Sequence, residues 1–310
     1  MSTVTSPYYR TFSSYLRQRF GRKVFRISMD AGFSCPNRDG SIGREGCAYC
    51  QARGSWNGRD APIPLEQQVK EGKIKASRRY GAEKFIAYFQ AYTNTYAPPQ
   101  VLKNIYDSVI REDDDIVGMA VGTRPDCIDE HKLQVIASYA RDDFDVWIEY
   151  GLQSSNDRTL ELIGRGHNAA SFKQAVLGTK RYPIKVAAHI IIGLPGEGRK
   201  EIIDTARFLA SLPVDGLKLH NLNILKGTRM EEWYIRNELK PLQMDQYAEL
   251  VVDFLERIPP SVVVHRLAAE AGSTCLAAPR WSMNKNKVVQ EIVNRFKQRK
   301  TYQGKLYGKL

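Results

Sequence analysis

Long apolar runs are missing from this 310-residue chain. The longest, Val186 to Leu194, is interrupted by His189 and falls far short of the roughly 20 residues that cross a bilayer, so no membrane helix is expected. Residues Met1 to Tyr9 are polar and lack the apolar core and small-residue cleavage site of a secretory signal, which makes the cytoplasm the expected compartment. Cysteine is sparse and odd in number: of five, three crowd between Cys35 and Cys50, while Cys127 and Cys275 stand alone. That disfavours a disulfide framework, because clustered cysteines in a reducing compartment bind metal or do redox chemistry more often than they bridge. There is no internal repeat and no low-complexity segment. Acidic residues are absent from Tyr8 to Met29, which carries six basic ones, and Lys285 to Leu310 sets eight basic residues against Glu291 alone.

Those two arms hold much of the formal charge of +12. They are interleaved with Tyr8, Tyr9, Phe12, Tyr15, Phe296, Tyr302 and Tyr307, a combination that suits a polyanion such as RNA. Solvated basic surface is the plainer alternative.

Runs rich in β-branched and aromatic residues, bounded by turn formers, predict strands at Val24–Met29, Lys84–Phe89, Ile116–Gly122, Val146–Leu152, Val186–Leu194 and Leu217–Ile224. Helical patterns fall between them at Pro64–Tyr80, Pro98–Arg111, Asp129–Tyr139, Asn156–Ile163, Ala170–Lys180 and Lys200–Leu212. Strict alternation of this kind predicts an α/β fold: a parallel sheet with crossover helices, read here as a partial (β/α)6 TIM-like barrel with N- and C-terminal extensions. The expected divisions are a basic extension over 1–23, a core barrel over 24–267 and a basic C-terminal extension over 268–310, where a helix is expected near Lys287–Lys300. Val262–Leu267 could add one more strand. Polar or glycine-rich segments follow each strand, which places the chemistry at the strands' C-terminal ends.

The first of these segments contains SCPNRDGSIGREGCAYC, with eleven residues between Cys35 and Cys47 and two between Cys47 and Cys50. A loop this rich in Gly, Asp and Asn can wrap until its three thiolates converge. Closed zinc sites and ordinary four-iron clusters take four protein ligands, and no fourth is evident nearby, so one iron is left open to a small chelating molecule. A zinc site completed by a distant ligand such as His131 is the alternative, and a thioredoxin-like pair of Cys47 and Cys50 would leave Cys35 unexplained.

The Cys47-Ala48-Tyr49-Cys50 pattern resembles the signature of the radical S-adenosylmethionine superfamily, in the form with a lengthened first spacing found in bacterial YhcC-like proteins and the elongator catalytic subunit. The resemblance implies a [4Fe-4S] cluster on Cys35, Cys47 and Cys50, and S-adenosyl-L-methionine cleaved to a 5'-deoxyadenosyl radical. It also implies a one-electron donor such as flavodoxin or ferredoxin. EYGLQSSNDRTLELIGRGH, Glu149 to His167, is similar to a segment of that superfamily in which Gln153 and Arg165 would approach the methionyl part of the cofactor. HIIIGLPGE, His189 to Glu197, resembles the fifth-strand motif, whose backbone at Ile192, Gly193 and Leu194 would receive the adenine.

Cofactor contacts are further expected from Tyr49 within the signature, from Gln90 after the second strand and from Thr123 after the third. Thr93, Asn94 and Arg124 could face substrate. Glu149 is expected either to touch the cofactor or to pair with a buried arginine, and His189, His220, Cys127 and Cys275 are expected mainly as packing residues. A tRNA nucleoside is the expected substrate. A small metabolite, or a non-catalytic cysteine–metal module that binds RNA, are the other readings.

Overall fold

The structure is a computed structural model that describes residues 6–51, 63–111 and 113–308. Strands β1 (Val24–Met29), β2 (Lys84–Phe89), β3 (Ile116–Thr123), β4 (Asp145–Gln153), β5 (Lys185–Ile192) and β6 (Gly216–Asn221) pair in chain order, each parallel to the last. A two-residue β7 (Ile224–Leu225) leaves the sheet to pair antiparallel with β9 (Leu276–Ala278), and β8 (Val263–Arg266) closes the main sheet beside β6. Seven strands therefore replace the six counted from sequence, the run near Val262–Leu267 supplying the seventh. The expected strand Leu217–Ile224 is broken after Asn221, where that side chain donates to Asn223 Oδ1 and accepts from the Ala269 amide, turning the chain out of the sheet.

Helices α1 (Phe12–Phe20), α2 (Leu65–Tyr80), α3 (Pro99–Ile110), α4 (Glu130–Ala137), α5 (Asp157–Leu162), α6 (Ala169–Thr179), α7 (Arg199–Ala210), α8 (Arg229–Ile235), α9 (Met244–Leu255) and α10 (Lys285–Arg299) complete the chain. Among the described residues none is long and apolar enough to cross a membrane. Helices α2 to α4, α6, α7, α9 and α10 contribute to the main core against the sheet, where Leu102, Tyr106, Phe172, Phe254 and Phe296 are fully buried. Because side chains alternate along a strand, every second residue faces the other way, toward the concave side. The sheet curls around that side until its edges approach: Arg26 of β1 hydrogen-bonds His265 of β8 at 3.0 Å. The result is a half-barrel.

Helix α1, unanticipated from sequence, plugs the barrel at the strands' N-terminal ends. Phe12 meets Trp147 edge-on at 5.9 Å and lies 4.1 Å from the His265 ring, and Leu16 is buried beside them. The preceding backbone extends the sheet edge, with Arg10 accepting from the Val264 amide at 2.8 Å. The two basic extensions clasp each other. Tyr8 stacks on Phe296 at 5.6 Å, and the Gln303 amide donates to the Tyr8 carbonyl. Arg295 and Arg299 of α10 pair with Glu249 and Glu256 of the α9 segment at 3.1 and 2.7 Å. Most aromatics of the expected nucleic-acid arms are thus occupied in packing, although Tyr302 and Tyr307 remain exposed. Lys309, counted in the C-terminal arm, lies outside the described residues.

Candidate active site

The loop after β1 is held by its own turns: the Arg38 amide reaches the Cys35 carbonyl at 2.8 Å, and the Cys50 amide reaches the Cys47 carbonyl at 2.9 Å. It is docked by the Ala48 amide on the Ile163 carbonyl at 2.9 Å. Cys35, Cys47 and Cys50 consequently line one cavity of about 130 Å³ at the strands' C-terminal ends. Among the described residues no three His, Cys, Asp or Glu side chains close on a point as ligands of a single ion do. Three cysteines on the wall of one cavity are a donor set of the kind that holds an iron–sulfur cluster. His131, the distant ligand of the zinc alternative, is exposed on α4.

Cys47 is the buried thiol of the three, and it is surrounded by donors. Asn37 Nδ2 lies 3.4 Å from its sulfur and Arg165 Nη1 3.6 Å away. Burial alone would raise the thiol, but the Arg165 charge and hydrogen bond outweigh it and hold Cys47 below its ordinary value. Cys50 has Arg38 beside it, but there burial outweighs the guanidinium's hydrogen bond and the thiol is raised. The donors around Cys47 thus favour its thiolate, the form in which cysteine binds iron.

Arg165 is oriented by Gly151. Its Nη2 donates to the Gly151 carbonyl at 2.7 Å, and a Cβ at position 151 would stand 2.6 Å from both that nitrogen and Gln153 Nε2. Only glycine leaves room for the two side chains. Gln153 itself takes a φ of 75° at a bulge in β4, a left-handed conformation uncommon for a side-chain-bearing residue, and it turns into the cavity.

Below the thiols, Glu149 is completely buried in the concave face. It pairs with Arg26 at 2.8 Å, with Lys218, with His189 at 2.9 Å and with His265 at 3.4 Å. Burial would raise this carboxyl, yet Arg26 and Lys218 hold it well below the usual carboxylate range. Burial drives Lys218 down despite Glu149, and burial together with Lys218 pushes His189 to about 4, so the imidazole is neutral at physiological pH. Of the two expectations for Glu149, the arginine partner is what the geometry contains, and the carboxylate also borders the cavity.

Gln90, Thr123, Arg124 and Tyr49 border the same cavity. Thr123 shares a hydrogen bond with Thr95 at 2.6 Å, while Arg124 is fixed by Asp126 at 2.8 Å and by the Arg165 carbonyl. Asn94, expected to face substrate, is instead buried and donates to the Gly122 carbonyl at 2.8 Å. Ile192 and Leu194 pack into the hydrophobic core, and Gly193 sits at a φ of 98° against Leu242, so none of the three borders the cavity; Ile191 does face the next one. That second cavity, about 250 Å³, adjoins the first through Tyr49, Cys50, Gln90, Gln153 and His189. It is also lined by His220, Arg266 and Cys275, the last of which was expected mainly to pack.

Sequence reasoning passed over Asn37 and Arg38, although both stand in the cysteine loop. Arg38 donates to the carbonyls of Cys50 and Gln51 at 2.7 and 2.6 Å and so fixes the loop's end. Arg26, Lys218 and Arg266 were also missed. For Arg26 and Lys218 the signal is a cation inside a strand at a position that alternation turns to the barrel interior; for Arg266 a register shift in β8 breaks the alternation and leaves no such signal.

A parallel half-barrel with three thiols gathered at the C-terminal mouth defines a class in which a cysteine-held cluster works beside an organic cofactor. The chain belongs to the radical S-adenosylmethionine superfamily: residues 39–209 match the Radical SAM superfamily model and residues 214–298 the Radical_SAM C-terminal domain. It is accordingly an enzyme of that superfamily, whose chemistry uses a [4Fe-4S] cluster and S-adenosylmethionine. It is 39% identical over 307 residues to the uncharacterized protein YtqA of Bacillus subtilis, covering 99% of this chain and 95% of that one. It is 36% identical to protein YhcC of Escherichia coli K12, covering 88% and 87%. A tRNA uridine(34) acetyltransferase of Dehalococcoides mccartyi is 26% identical over 52% of this chain and 35% of its own length. In fold the chain is similar to an N-terminally truncated Elp3 of Methanocaldococcus infernus, with a TM-score of 0.68, 16% identity, and coverage of 90% of this chain and 64% of that one.

Proposed function

We propose that Cys35, Cys47 and Cys50 are the protein ligands of the cluster, and that the enzyme uses it to modify a nucleoside in tRNA. The observation that carries the first part is the convergence of the three thiols on one cavity with the buried Arg165 fork beside them. When bound, cluster and cofactor together supply a radical able to abstract hydrogen from an unactivated position. The chain's own residues bind and orient. Arg165 presents a permanently charged planar donor suited to the cofactor's carboxylate, with Gln153, Gln90, Thr123 and Tyr49 around it. The Glu149 network beneath keeps the floor rigid and dry, and neutral His189 can donate or accept a hydrogen bond there without adding charge.

The tRNA reading is supported by the net charge of +12, by the second cavity beside the first, and by the relative named as a tRNA uridine(34) acetyltransferase. The electron would come from a carrier such as flavodoxin or ferredoxin. The test is anaerobic reconstitution with iron and sulfide, reduction, and assay of 5'-deoxyadenosine with and without tRNA from cells lacking the enzyme. Wild type is expected to form it, faster with that tRNA, and Cys47→Ala to bind less iron and form none. Turnover that ignores tRNA but responds to a small-molecule extract would replace the tRNA reading with the metabolite one. A protein that retains zinc and takes up no cluster would overturn both.

A further inference from the structure

The second cavity contains a cation that the site described so far does not use. Arg266, at the end of β8, lines it and, among the described residues, makes no ion pair and no side-chain hydrogen bond. The one carboxylate at the barrel's centre, Glu149, is already engaged by Arg26, Lys218, His189 and His265. Glu270, exposed at the rim of the same cavity, does not come within ion-pair distance. Arg266 is close enough to the interior that its charge helps depress His220, after burial. It faces a second cation as well: Lys285, in the first turn of α10, is lowered by burial and then by Arg266, with Glu270 opposing. His220 Nε2, on the wall of this cavity, is buried and has no hydrogen-bond partner.

A half-buried guanidinium without a counter-ion and an imidazole nitrogen without a partner, both on the wall of one open volume, make a site suited to an anion. Unpaired buried charge is costly, and such a surplus is retained where a ligand completes it. Cys50, Gln153 and His189 belong to both cavities, so a group held at Arg266 lies next to the cofactor site and apart from Arg165.

We propose that Arg266 binds an oxyanion of the substrate, a carboxylate or a phosphate, and so selects which molecules are presented to the radical. This rests on the reading of the cysteine cavity as the cofactor site. A guanidinium takes either anion through two parallel hydrogen bonds, which an ammonium cannot reproduce.

The experiment uses the reconstituted holoenzyme with S-adenosylmethionine and follows thermal unfolding against inorganic phosphate, acetate or malonate, with chloride holding ionic strength constant. Wild type is expected to show a saturable rise in Tm. Arg266→Gln should weaken the apparent affinity roughly tenfold to a hundredfold, and Arg266→Lys should restore part of it, with cluster content and S-adenosylmethionine binding unchanged in both. Preference for phosphate assigns the site to a nucleotide phosphate; preference for acetate or malonate assigns it to a carboxylate on the reacting group. No saturable effect, or one that survives Arg266→Gln, overturns the proposal. Anion binding that depends on Arg266 in an enzyme indifferent to tRNA would remove the tRNA reading and leave this one standing.

Discussion

The concave face of β4 runs from the barrel floor to its mouth through Asp145, Trp147, Glu149 and Gly151, and the two ends treat charge in opposite ways. At the floor, Asp145 is fully enclosed and takes a hydrogen bond from Tyr15 together with ion pairs from Arg19 and Lys185. One layer up, Glu149 is likewise surrounded by partners. At the mouth the strand offers glycine, and the groups gathered there are three thiols together with Arg165 and Arg266, neither of which forms an ion pair with a carboxylate among the described residues. Saturation marks the part that holds the fold; deficit marks the part that receives something.

Breaking the saturated end should cost stability. Glu149→Ala leaves Arg26 and Lys218 buried without a counter-charge and is expected to lower unfolding free energy by about 3–5 kcal/mol, read from urea unfolding. A double change, Glu149→Gln with Lys218→Met, should recover part of that loss, because Lys218 no longer sits buried without a counter-charge while Arg26 still does. If the single change were harmless, the network would not be what holds the barrel floor. Tyr15→Phe removes a charge-assisted hydrogen bond to Asp145 and should cost about 1.5–3 kcal/mol, tying α1 energetically to the barrel. A variant as stable as wild type would return α1 to the status of a loose arm.

At the deficient end, the expected losses are in binding. Gly151→Ala pushes against the mobile ends of Arg165 and Gln153, which can shift, so stability should change by less than about 1 kcal/mol. S-Adenosylmethionine affinity, measured by equilibrium dialysis on reconstituted protein, should nonetheless fall roughly tenfold, because the carboxylate fork is displaced. Unchanged affinity would separate Arg165 from the cofactor.

How much of this was legible in sequence follows the same division. The cysteine loop is local, so its spacing could be read directly, and β1 and β2 begin and end where alternation and turn residues place them. The interior charges were not legible. Arg26 and Lys218 lie on strands far apart in the chain, and a cation in a strand reads as a solvent-facing position until the sheet curls and brings β1 against β8. Helix α1 was hidden by the charge around it: the stretch Tyr8 to Met29, with six basic residues and no acid, read as an arm, although Phe12, Tyr15 and Leu16 already mark one helical face at a spacing of three and four. The unpaired Arg266 is invisible in sequence for a deeper reason, since only the structure shows which carboxylates have already been claimed.

The contrast is sharpest between two glutamates, one buried and one half-buried. Glu149 is held low by cations, whereas Glu197, after β5, accepts only from hydroxyls, Ser154 first and Thr159 next, and burial pushes it up to about 6. A carboxyl whose folded value is raised favours the folded state in its protonated form. Its contribution is fully present below the ordinary value of 4.5 and is lost as pH rises through about 6. Glu197→Gln mimics the protonated group, so it should match wild type in stability near pH 4.5 and exceed it by about 1 kcal/mol at pH 7.5, after allowance for partial exposure. The readout is the difference between their urea midpoints across that range. Glu149 predicts the opposite sign, its contribution being present above 4.5 and lost on acidification. Parallel pH curves for Glu197→Gln and wild type would mean that an unseen cation reaches Glu197, and the mouth would then be less deficient than its geometry implies.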